Sequence, residues 1–457
     1  MSLKSINPYT NEIIREFEEF TDEEVEKRIK KSADAFEKWK RTSFVERKML
    51  MINVSQTLNE NKRELASAIT AEMGKPIRES LAEIEKCAWV CEYYAVNAES
   101  FLSPEPVATD AQESFVCYEP LGTILGIMPW NFPFWQVFRF AIPALMAGNA
   151  VLLKHASNVQ NCAEHIENIF SSAGFPDGLL INLVLGSGKI QGIIENDVVK
   201  AVSLTGSETA GRKVAETAGG KIKKAVLELG GSNAFIVLED ADIEEAVSVG
   251  ITARMQNAGQ SCIAAKRFIV HENISEKFIA QYSEKLSALR SGDPRDENTD
   301  IGPLSSHQQA QAVEEQVKKS VEMGARILLG GYPEGTYYPP TLLTDVKPGM
   351  PVFDEEVFGP VTPVIIAKDT AMAVSLSNQS SFGLGVSLFT NDNEQAKKLI
   401  PDFNEGAVFI NALVKSDPRL PFGGIKNSGF GRELALHGIR EFVNVKTVYI
   451  GVKKPSS

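Results

Sequence analysis

Residues 200–231 read KAVSLTGSETAGRKVAETAGGKIKKAVLELGG, and this stretch decides the fold class of the chain. The runs KAVSL (200–204) and KAVLEL (224–229) are short and apolar, which is typical of buried strands. Residues 208–220 between them are predicted to form a helix. Strands that a helix joins lie parallel in one sheet, with a right-handed crossover. The stretch therefore predicts an α/β fold with a parallel sheet.

The same alternation continues on both sides of this unit. Upstream, AVLLK (150–154) and INLVL (181–185) are predicted strands with a predicted helix between them. Downstream, residues 243–259 are predicted to form a helix that leads to the strand KRFIV (266–270). At 457 residues the chain is too long for one ordinary hydrophobic core. We therefore predict two α/β domains that meet near residues 230–231.

The remaining segments give simpler expectations. The first hundred residues are mostly helical in pattern, and residues 114–128 are predicted to form a strand, a turn and a second strand. Residues 121–153 contain only one charged side chain, Arg139, but three prolines interrupt this apolar segment. A membrane-spanning helix needs about 20 consecutive, predominantly apolar residues. A buried strand, loop, helix and strand is the better interpretation, with no membrane partner.

Composition excludes several function classes. The net charge of −12 argues against nucleic acid or an anionic membrane as a partner. The five cysteines include no CxxC pair, which argues against a zinc ribbon or a disulfide scaffold, and the histidines form no metal-binding cluster. The first residues lack the apolar core of a secretory signal. A cytoplasmic location is therefore expected.

Two glycine-containing segments are candidate phosphate-binding loops. GSGKIQG (186–192) departs from the dinucleotide fingerprint because its third glycine comes one residue late, so an ordinary loop is predicted. In LTGSETAG (204–211) a strand ends and a helix begins at Ser207. The backbone N–H groups and the dipole of a helix start favour an anion, although a simple helix cap explains the same residues.

Three polar residues in apolar surroundings are candidate catalytic groups. Glu228 ends a predicted buried strand, where a carboxylate needs either a salt-bridge partner or a function. Asn131, between two prolines, is either a donor for an oxyanion or a turn residue that satisfies local backbone. Cys262, within NAGQSCIAAKRF (257–268), is either a small buried hydrophobe or a nucleophile.

Taken together, these segments resemble the aldehyde dehydrogenase superfamily, most closely its bacterial succinate-semialdehyde dehydrogenases that use NAD or NADP. Glu228 precedes Cys262 by 34 residues, which matches the family's spacing. The ordered motifs that carry the resemblance are PWNFP (129–133), an apolar strand ending in Lys154, TGS (205–207), ELGG (228–231), GQSC (259–262), EEVFGP (355–360) and PFGG (421–424).

The resemblance implies a catalytic route from an aldehyde to a carboxylic acid. Cys262 matches the thiol that attacks the aldehyde, giving a thiohemiacetal and then a thioester. The Asn131 side chain and the Cys262 backbone N–H match the donors to the oxyanion. Glu228 matches the general base that activates water for hydrolysis.

The resemblance also implies an NADP or NAD cofactor. Trp130, Lys154, Gly206 and Ser207 match cofactor contacts, and Glu356 with Phe358 matches the pair that positions the nicotinamide ribose and ring. Many NAD-preferring relatives carry a glutamate three residues after the lysine, and here that position is Ser157. A serine donates to a 2′-phosphate where a carboxylate repels it, so we expect NADP to be accepted, alone or alongside NAD.

The substrate is expected to be a small aldehyde that bears a carboxylate. Succinate-semialdehyde dehydrogenases carry an arginine at the position of Arg139, and Ser416 lies where a substrate-contacting serine is expected. Pairing of Arg139 with a glutamate is the structural alternative. A second arginine and a second cysteine of many relatives are replaced here by Gln256 and Ala264. Succinate semialdehyde is the favoured substrate; another small aliphatic aldehyde, a CoA-acylating activity and a non-catalytic use of the fold are the alternatives.

The family's architecture implies a Rossmann-like cofactor domain, an α/β catalytic domain and a small β oligomerisation arm. A homodimer or homotetramer is expected, because EFVNVKTVYIGV (441–452) is predicted to form a strand with one apolar face that needs a partner. The implied bounds are 1–103 and 121–230 for the NAD(P)-binding domain, 231–439 for the catalytic domain, and 104–120 and 440–457 for the arm.

Overall fold

The computed structural model describes residues 2–453; residue 1 and residues 454–457, at the ends of the expected cofactor domain and arm, lie outside the described residues. The helices are α1 Asp22–Trp39, α2 Phe44–Glu60, α3 Lys62–Met73, α4 Ile77–Leu102, α5 Trp135–Met146, α6 Gln160–Ser172, α7 Ile190–Glu195, α8 Glu208–Gly220, α9 Ile243–Met255, α10 Glu272–Ser287, α11 His307–Glu322, α12 Pro351–Asp354, α13 Thr370–Asn378, α14 Asn393–Leu399 and α15 Ala435–Arg440. The strands are β1 Ser2–Ile6, β2 Ile13–Glu18, β3 Glu105–Pro106, β4 Glu113–Pro120, β5 Thr123–Met128, β6 Ala150–His155, β7 Leu180–Asn182, β8 Val199–Thr205, β9 Lys224–Glu228, β10 Asn233–Val237, β11 Ala265–His271, β12 Arg326–Leu329, β13 Thr341–Thr344, β14 Val361–Ala367, β15 Phe382–Gly383, β16 Val386–Phe389, β17 Val408–Ile410, β18 Ile425–Lys426, β19 Gly429–Phe430 and β20 Val443–Ile450.

The first large sheet has the strand order β19-β9-β8-β5-β6-β7. Its strands are parallel except β19, which pairs antiparallel with β9. The chain leaves the central strand β5 on one side for β6 and returns on the other side as β8. In such a sheet ligands bind beside the carboxyl ends of the strands, where the strand order reverses. The PWNFP motif follows β5, and Lys154, TGS and ELGG lie at the carboxyl ends of β6, β8 and β9.

Helix α5 packs directly on β5 because Gly126 leaves space for it. A Cβ at Gly126 would lie 2.3 Å from the ring of Phe140. Every residue of α5 is buried, including Arg139. Because α5 packs this closely on β5, its side chains lie near the carboxyl end of that strand.

The second large sheet has the order β12-β13-β14-β11-β10-β16-β17, parallel except for the antiparallel β12. Only four residues separate the end of β9 in the first sheet from the start of β10 in the second. The predicted α/β fold class is confirmed. Among the described helices, none has the length and hydrophobicity that a membrane crossing needs.

A third sheet, β20-β4-β3, is antiparallel. Side chains alternate across a strand, so Val445 and Tyr449 lie on one face of β20 while Val448 and Ile450 lie on the other. The predicted single apolar face is therefore wrong, although Val445, Tyr449 and Ile450 are exposed.

Two local predictions are confirmed and one is wrong. The first hundred residues are mostly helical, as predicted, in α1 to α4, and residues 2–18 form an antiparallel pair, β1 and β2. The strand, turn and strand of residues 114–128 exist, but β4 and β5 belong to different sheets. Residues 186–192 form a 3-10 turn and the start of α7, so the loop prediction is wrong.

Candidate active site

Cys262 lies on a strained turn between α9 and β11. The preceding residues Asn257, Ala258 and Gly259 have φ angles of 54°, 50° and 75°, in the left-handed region that non-glycine residues rarely adopt. A Cβ at Gly259 would lie 2.4 Å from the carbonyl oxygen of Gly359. Backbone strain of this kind concentrates at functional sites. The turn leaves the Cys262 backbone N–H without an acceptor among residues 2–453.

The PWNFP segment is bound to this turn through buried amide groups. Asn257 Nδ2 donates to the carbonyl oxygens of Asn131, at 2.8 Å, and Gln260, at 3.0 Å. Asn131 Nδ2 donates to the same Gln260 oxygen at 3.1 Å. A side-chain amide has two N–H donors, so Asn131 retains one for another acceptor. The two segments are therefore fixed relative to each other beside Cys262.

Two cavities meet at Cys262. One, of about 300 Å³, is also lined by Trp135, Arg139 and Ser416. The other, of about 260 Å³, is also lined by Asn131. The structure thus brings the predicted thiol, the predicted oxyanion donor and both predicted substrate residues to one place.

The second cavity contains most of the predicted cofactor residues. Trp130, Gly206, Ser207, Glu356 and Phe358 all line it. The rings of Trp130 and Phe358 meet edge to face, with centroids 5.8 Å apart. The Ser207 hydroxyl accepts a hydrogen bond from Ala210 N at 3.3 Å, so the helix cap that the sequence left open is present as well.

Lys266 contacts both the backbone of Cys262 and Glu356, which lines the second cavity. Its Nζ donates to the carbonyl oxygens of Ser261, at 2.7 Å, and Cys262, at 2.8 Å, and pairs with Glu356 at 3.0 Å. Glu356 also accepts a hydrogen bond from Gly231 N at 3.0 Å. Burial raises the pKa of the Cys262 thiol above its usual value, and the charges of Arg139 and Lys266 oppose that shift.

Glu228 is the last residue of β9. Burial, and then the nearby charge of Glu433, raise the pKa of its carboxyl well above the usual value. Neither carboxyl oxygen has a hydrogen-bond partner within the described part of the chain. The PFGG segment approaches closely, since a Cβ at Gly423 would lie 2.6 Å from Glu228 Oε1. Glu228 lines neither cavity in this conformation, although no hydrogen bond holds it there.

The comparisons with known proteins agree with this arrangement. Residues 1–448 match the model of the aldehyde dehydrogenase family. The chain belongs to this family. A Synechocystis aldehyde dehydrogenase described as "Probable succinate-semialdehyde dehydrogenase", of the NADP(+) type, is 48% identical over 98% of this chain and 100% of its own length. The Mycobacterium tuberculosis "Succinate-semialdehyde dehydrogenase 1", also NADP(+), is 46% identical over 98% of this chain and 100% of its own.

A solved aldehyde dehydrogenase structure also has the same fold. The succinic semialdehyde dehydrogenase from Streptococcus pyogenes, in complex with NADP+ as the cofactor, has a TM-score of 0.96 and 35% identity. The match covers 98% of this chain and 100% of that one.

Two of the predicted cofactor residues of this aldehyde dehydrogenase lie elsewhere on the same sheet edge. Lys154 is buried in β6, and Ser157 is half-buried in the turn that follows it. Burial lowers the pKa of Lys154, and Glu19 opposes that shift. A groove of about 890 Å³, lined by Ile127, Leu204 and residues of α7 and α8, was missed because residues 186–192 were predicted to be a loop.

His155, which follows Lys154 in the sequence, has a defined structural role. It ends β6 and is fully buried. Its Nδ1 accepts a hydrogen bond from Ala156 N at 2.8 Å, so Nε2 carries the proton and donates to the Pro133 carbonyl, also at 2.8 Å. Burial lowers its pKa to about 4, which keeps the ring neutral. His155 thereby ties the PWNFP segment to the end of β6.

Arg139, a predicted substrate residue of this aldehyde dehydrogenase, shows the pairing that the sequence left open as an alternative. Its Nε forms a buried ion pair with Glu433, and its Nη2 donates to Thr205 Oγ1 at 3.2 Å. Its Nη1 donates to no described residue, and the side chain lines the cavity beside Cys262. The guanidinium of Arg139 therefore reaches the cavity, but the carboxylate of Glu433 already neutralises its charge.

Three polar residues of this cavity were not predicted. Glu79, Glu83 and Lys86 lie on one face of α4, at the spacing of successive helical turns, and all line the cavity. Burial raises the pKa of Glu79 to about 7, and its carboxylate accepts a hydrogen bond from Asn257 N at 2.7 Å. The i, i+4, i+7 spacing was visible in the sequence, but it does not show which neighbour the helix face meets.

Proposed function

We propose that this aldehyde dehydrogenase oxidises succinate semialdehyde to succinate with NADP, and that it accepts NAD as a second cofactor. The observation that carries the proposal is the position of Cys262 at the junction of two cavities. One of them contains the residues that match cofactor contacts, and the other contains cationic and hydroxyl groups suited to a carboxylate. The names of the similar bacterial enzymes support the same substrate and cofactor.

In the proposed reaction, the Cys262 thiolate attacks the aldehyde carbon and forms a thiohemiacetal. The free N–H of the Asn131 amide and the unpaired backbone N–H of Cys262 donate to the oxyanion. A bound NADP would supply the hydride acceptor, and loss of hydride from the thiohemiacetal would leave a thioester on Cys262. Glu228 then turns from its position near Gly423, takes a proton from water and allows hydrolysis to the acid.

The cofactor is proposed to lie along the carboxyl edge of the first sheet. Trp130, Gly206, Ser207, Glu356 and Phe358 would hold its nicotinamide half, since they line the cavity at the thiol. A side chain at residue 230 would displace Glu356, because a Cβ there would lie 2.4 Å from its Oε2. Lys154 and Ser157 would hold the ribose with its 2′-phosphate.

The rest of the molecule is assigned in the same proposal. Residues 1–103 and 121–230 form the cofactor domain, residues 231–439 the catalytic domain, and residues 104–120 and 440–457 the oligomerisation arm. The exposed apolar residues of β20 support a homodimer or homotetramer. The five free cysteines suit a reducing compartment, so we place the enzyme in the cytoplasm.

Substrate preference tests the proposed function directly. With NADP, kcat/KM for succinate semialdehyde is expected to exceed that for butanal, which has the same number of carbons but no charge, by about 100-fold, because charged hydrogen bonds hold the carboxylate. The measurement is the absorbance of the reduced cofactor, with product analysis for succinate. Equal rates with the two aldehydes would overturn the assigned substrate, although not the oxidation of aldehydes.

Ser157→Glu tests the assignment of the cofactor. The new carboxylate would repel the 2′-phosphate, so kcat/KM for NADP is expected to fall about 100-fold while that for NAD stays within a few-fold. Ser157→Ala is the matched control, which removes only a hydroxyl and should lower the NADP value about fivefold. A similar loss with both cofactors in Ser157→Glu would show that residue 157 is not near the 2′ position.

A further inference from the structure

Lys86 is a cation without a counter-ion in the wall of the substrate cavity. It extends from α4, lines the same cavity as Cys262, and forms no ion pair with any carboxylate of residues 2–453. Its Nζ donates only to the hydroxyl of Ser416, at 2.8 Å, and lies 4.2 Å from the centroid of the Trp135 ring. A partly buried ammonium group that lacks a counter-ion favours an anion beside it.

We propose that Lys86, together with Ser416, binds the carboxylate of the substrate and so determines specificity for carboxylate-bearing aldehydes. This inference rests on the proposed function, which supplies the carboxylate. It assigns the principal charge to a residue that sequence reasoning did not identify. Arg139, which the sequence favoured, is left with a supporting contact.

Arg139 and Lys86 differ in whether a carboxylate neutralises their charge. Arg139 is neutralised by Glu433, which also accepts a hydrogen bond from Ser203 at 3.2 Å. The acidic groups around Lys86 are neutralised by other partners: Glu83 on α4 by Lys75, and Asp417 by Arg419 at 2.7 Å. Lys86 is therefore the partly buried cation of this cavity that lacks a counter-ion among residues 2–453, whereas Lys415, which also lines the cavity without an ion pair, is exposed to solvent.

The hydroxyl of Ser416 is set up to donate. Its oxygen accepts two hydrogen bonds, from Lys86 Nζ at 2.8 Å and from Trp135 Nε1 at 3.0 Å. A hydroxyl has two acceptor sites and one proton, so both acceptor sites are filled. No acceptor in the described chain receives the proton. A carboxylate in the cavity would accept from this hydroxyl and from the remaining N–H groups of Lys86.

Lys86→Met tests the inference, because methionine keeps the unbranched chain and removes the charge. We expect kcat/KM for succinate semialdehyde to fall about 30-fold, mainly through KM, while that for butanal stays within about threefold. Lys415→Met is the matched control, since Lys415 also lines the cavity but is exposed, where charges are screened. Its preference for the charged aldehyde should change by less than about threefold.

The pH dependence of the preference gives a second readout. Burial, and then the charge of Arg139, lower the pKa of Lys86 to about 8; Cys87, Glu83 and Asp417 act in the opposite direction. The ratio of kcat/KM for succinate semialdehyde to that for butanal cancels the titration of Cys262 and Glu228, which both reactions use. Glu79 lines the same cavity, and burial raises its pKa to about 7, so its ionisation near neutral pH lowers the ratio as well. We expect a further fall above pH 8, as Lys86 loses its proton.

Lys86→Arg distinguishes charge from structure. Arginine does not titrate in this range, so the variant should keep much of the preference while its ratio stays level from about pH 8 to 9.5, above the titration of Glu79. An unchanged preference in Lys86→Met, or a ratio that still falls above pH 8 in Lys86→Arg, would overturn the role of Lys86 and leave the proposed function intact. A wild-type enzyme with no preference for the charged aldehyde would overturn both.

Discussion

Cys262→Ala is expected to reduce the rate of aldehyde oxidation by at least about 10⁴-fold, the range seen when a covalent nucleophile is removed. No other described thiol lines either cavity, so no side chain can replace it. Binding of NADP should be retained within about twofold, because the cofactor-side contacts do not depend on the thiol. Fluorescence titration with NADP and an absorbance assay of the reduced cofactor measure the two effects.

Cys117→Ala is the matched control for this experiment. Cys117 lies on β4 of the third sheet, away from both cavities, and its removal should leave turnover unchanged. Retained oxidation in Cys262→Ala would remove the assigned nucleophile. Loss of both oxidation and NADP binding would instead indicate a general collapse of the site.

Glu228→Gln is expected to separate the two halves of the reaction. Glutamine has nearly the same shape but cannot take a proton from water, so the thioester should persist. We expect one equivalent of reduced cofactor per active site in the first turnover, followed by a steady state about 10²–10⁴-fold slower than that of the wild type. Rapid-mixing absorbance measures the burst and the steady state together.

Added hydroxylamine provides the control for the Glu228 variant. A strong external nucleophile attacks the thioester without a general base, so it should restore turnover in Glu228→Gln but not in Cys262→Ala. Absence of the burst would show that Glu228 acts before hydride transfer, for example on the thiol proton. A normal steady state would exclude it as the base.

Local patterns in the sequence predicted most of the fold. Alternating apolar runs and helices identified the parallel sheets, and the motif order led to the correct family. The loop predicted for residues 186–192 is wrong, because these residues form a 3-10 turn and begin α7. The strand pair of residues 2–18 was not predicted, because its local pattern is weak. Strands β4 and β5 were both found, but their separation into two sheets depends on partners far away along the chain.

In the candidate site, too, local sequence patterns identified single residues but not the contacts between distant ones. Asn131 and Cys262 were identified from short segments, because motif and spacing are local properties. The pairing of Arg139 with Glu433 joins residues 294 positions apart, and Lys86 reaches Ser416 across 330 positions. Neither contact can be predicted from the local sequence around its residues. The balance of charge in the cavity, which decides between Arg139 and Lys86, could therefore be read only from the folded chain.

Lys266 couples the cofactor cavity to the thiol through its charge. One ammonium group contacts both the carbonyl oxygen of Cys262 and the carboxylate of Glu356. A cofactor that draws Glu356 away would leave more of the Lys266 charge facing the thiol and favour the thiolate. Linkage is reciprocal, so ionisation of the thiol must then tighten cofactor binding by the same factor. The enzyme would thus hold a less reactive thiol until the hydride acceptor is in place.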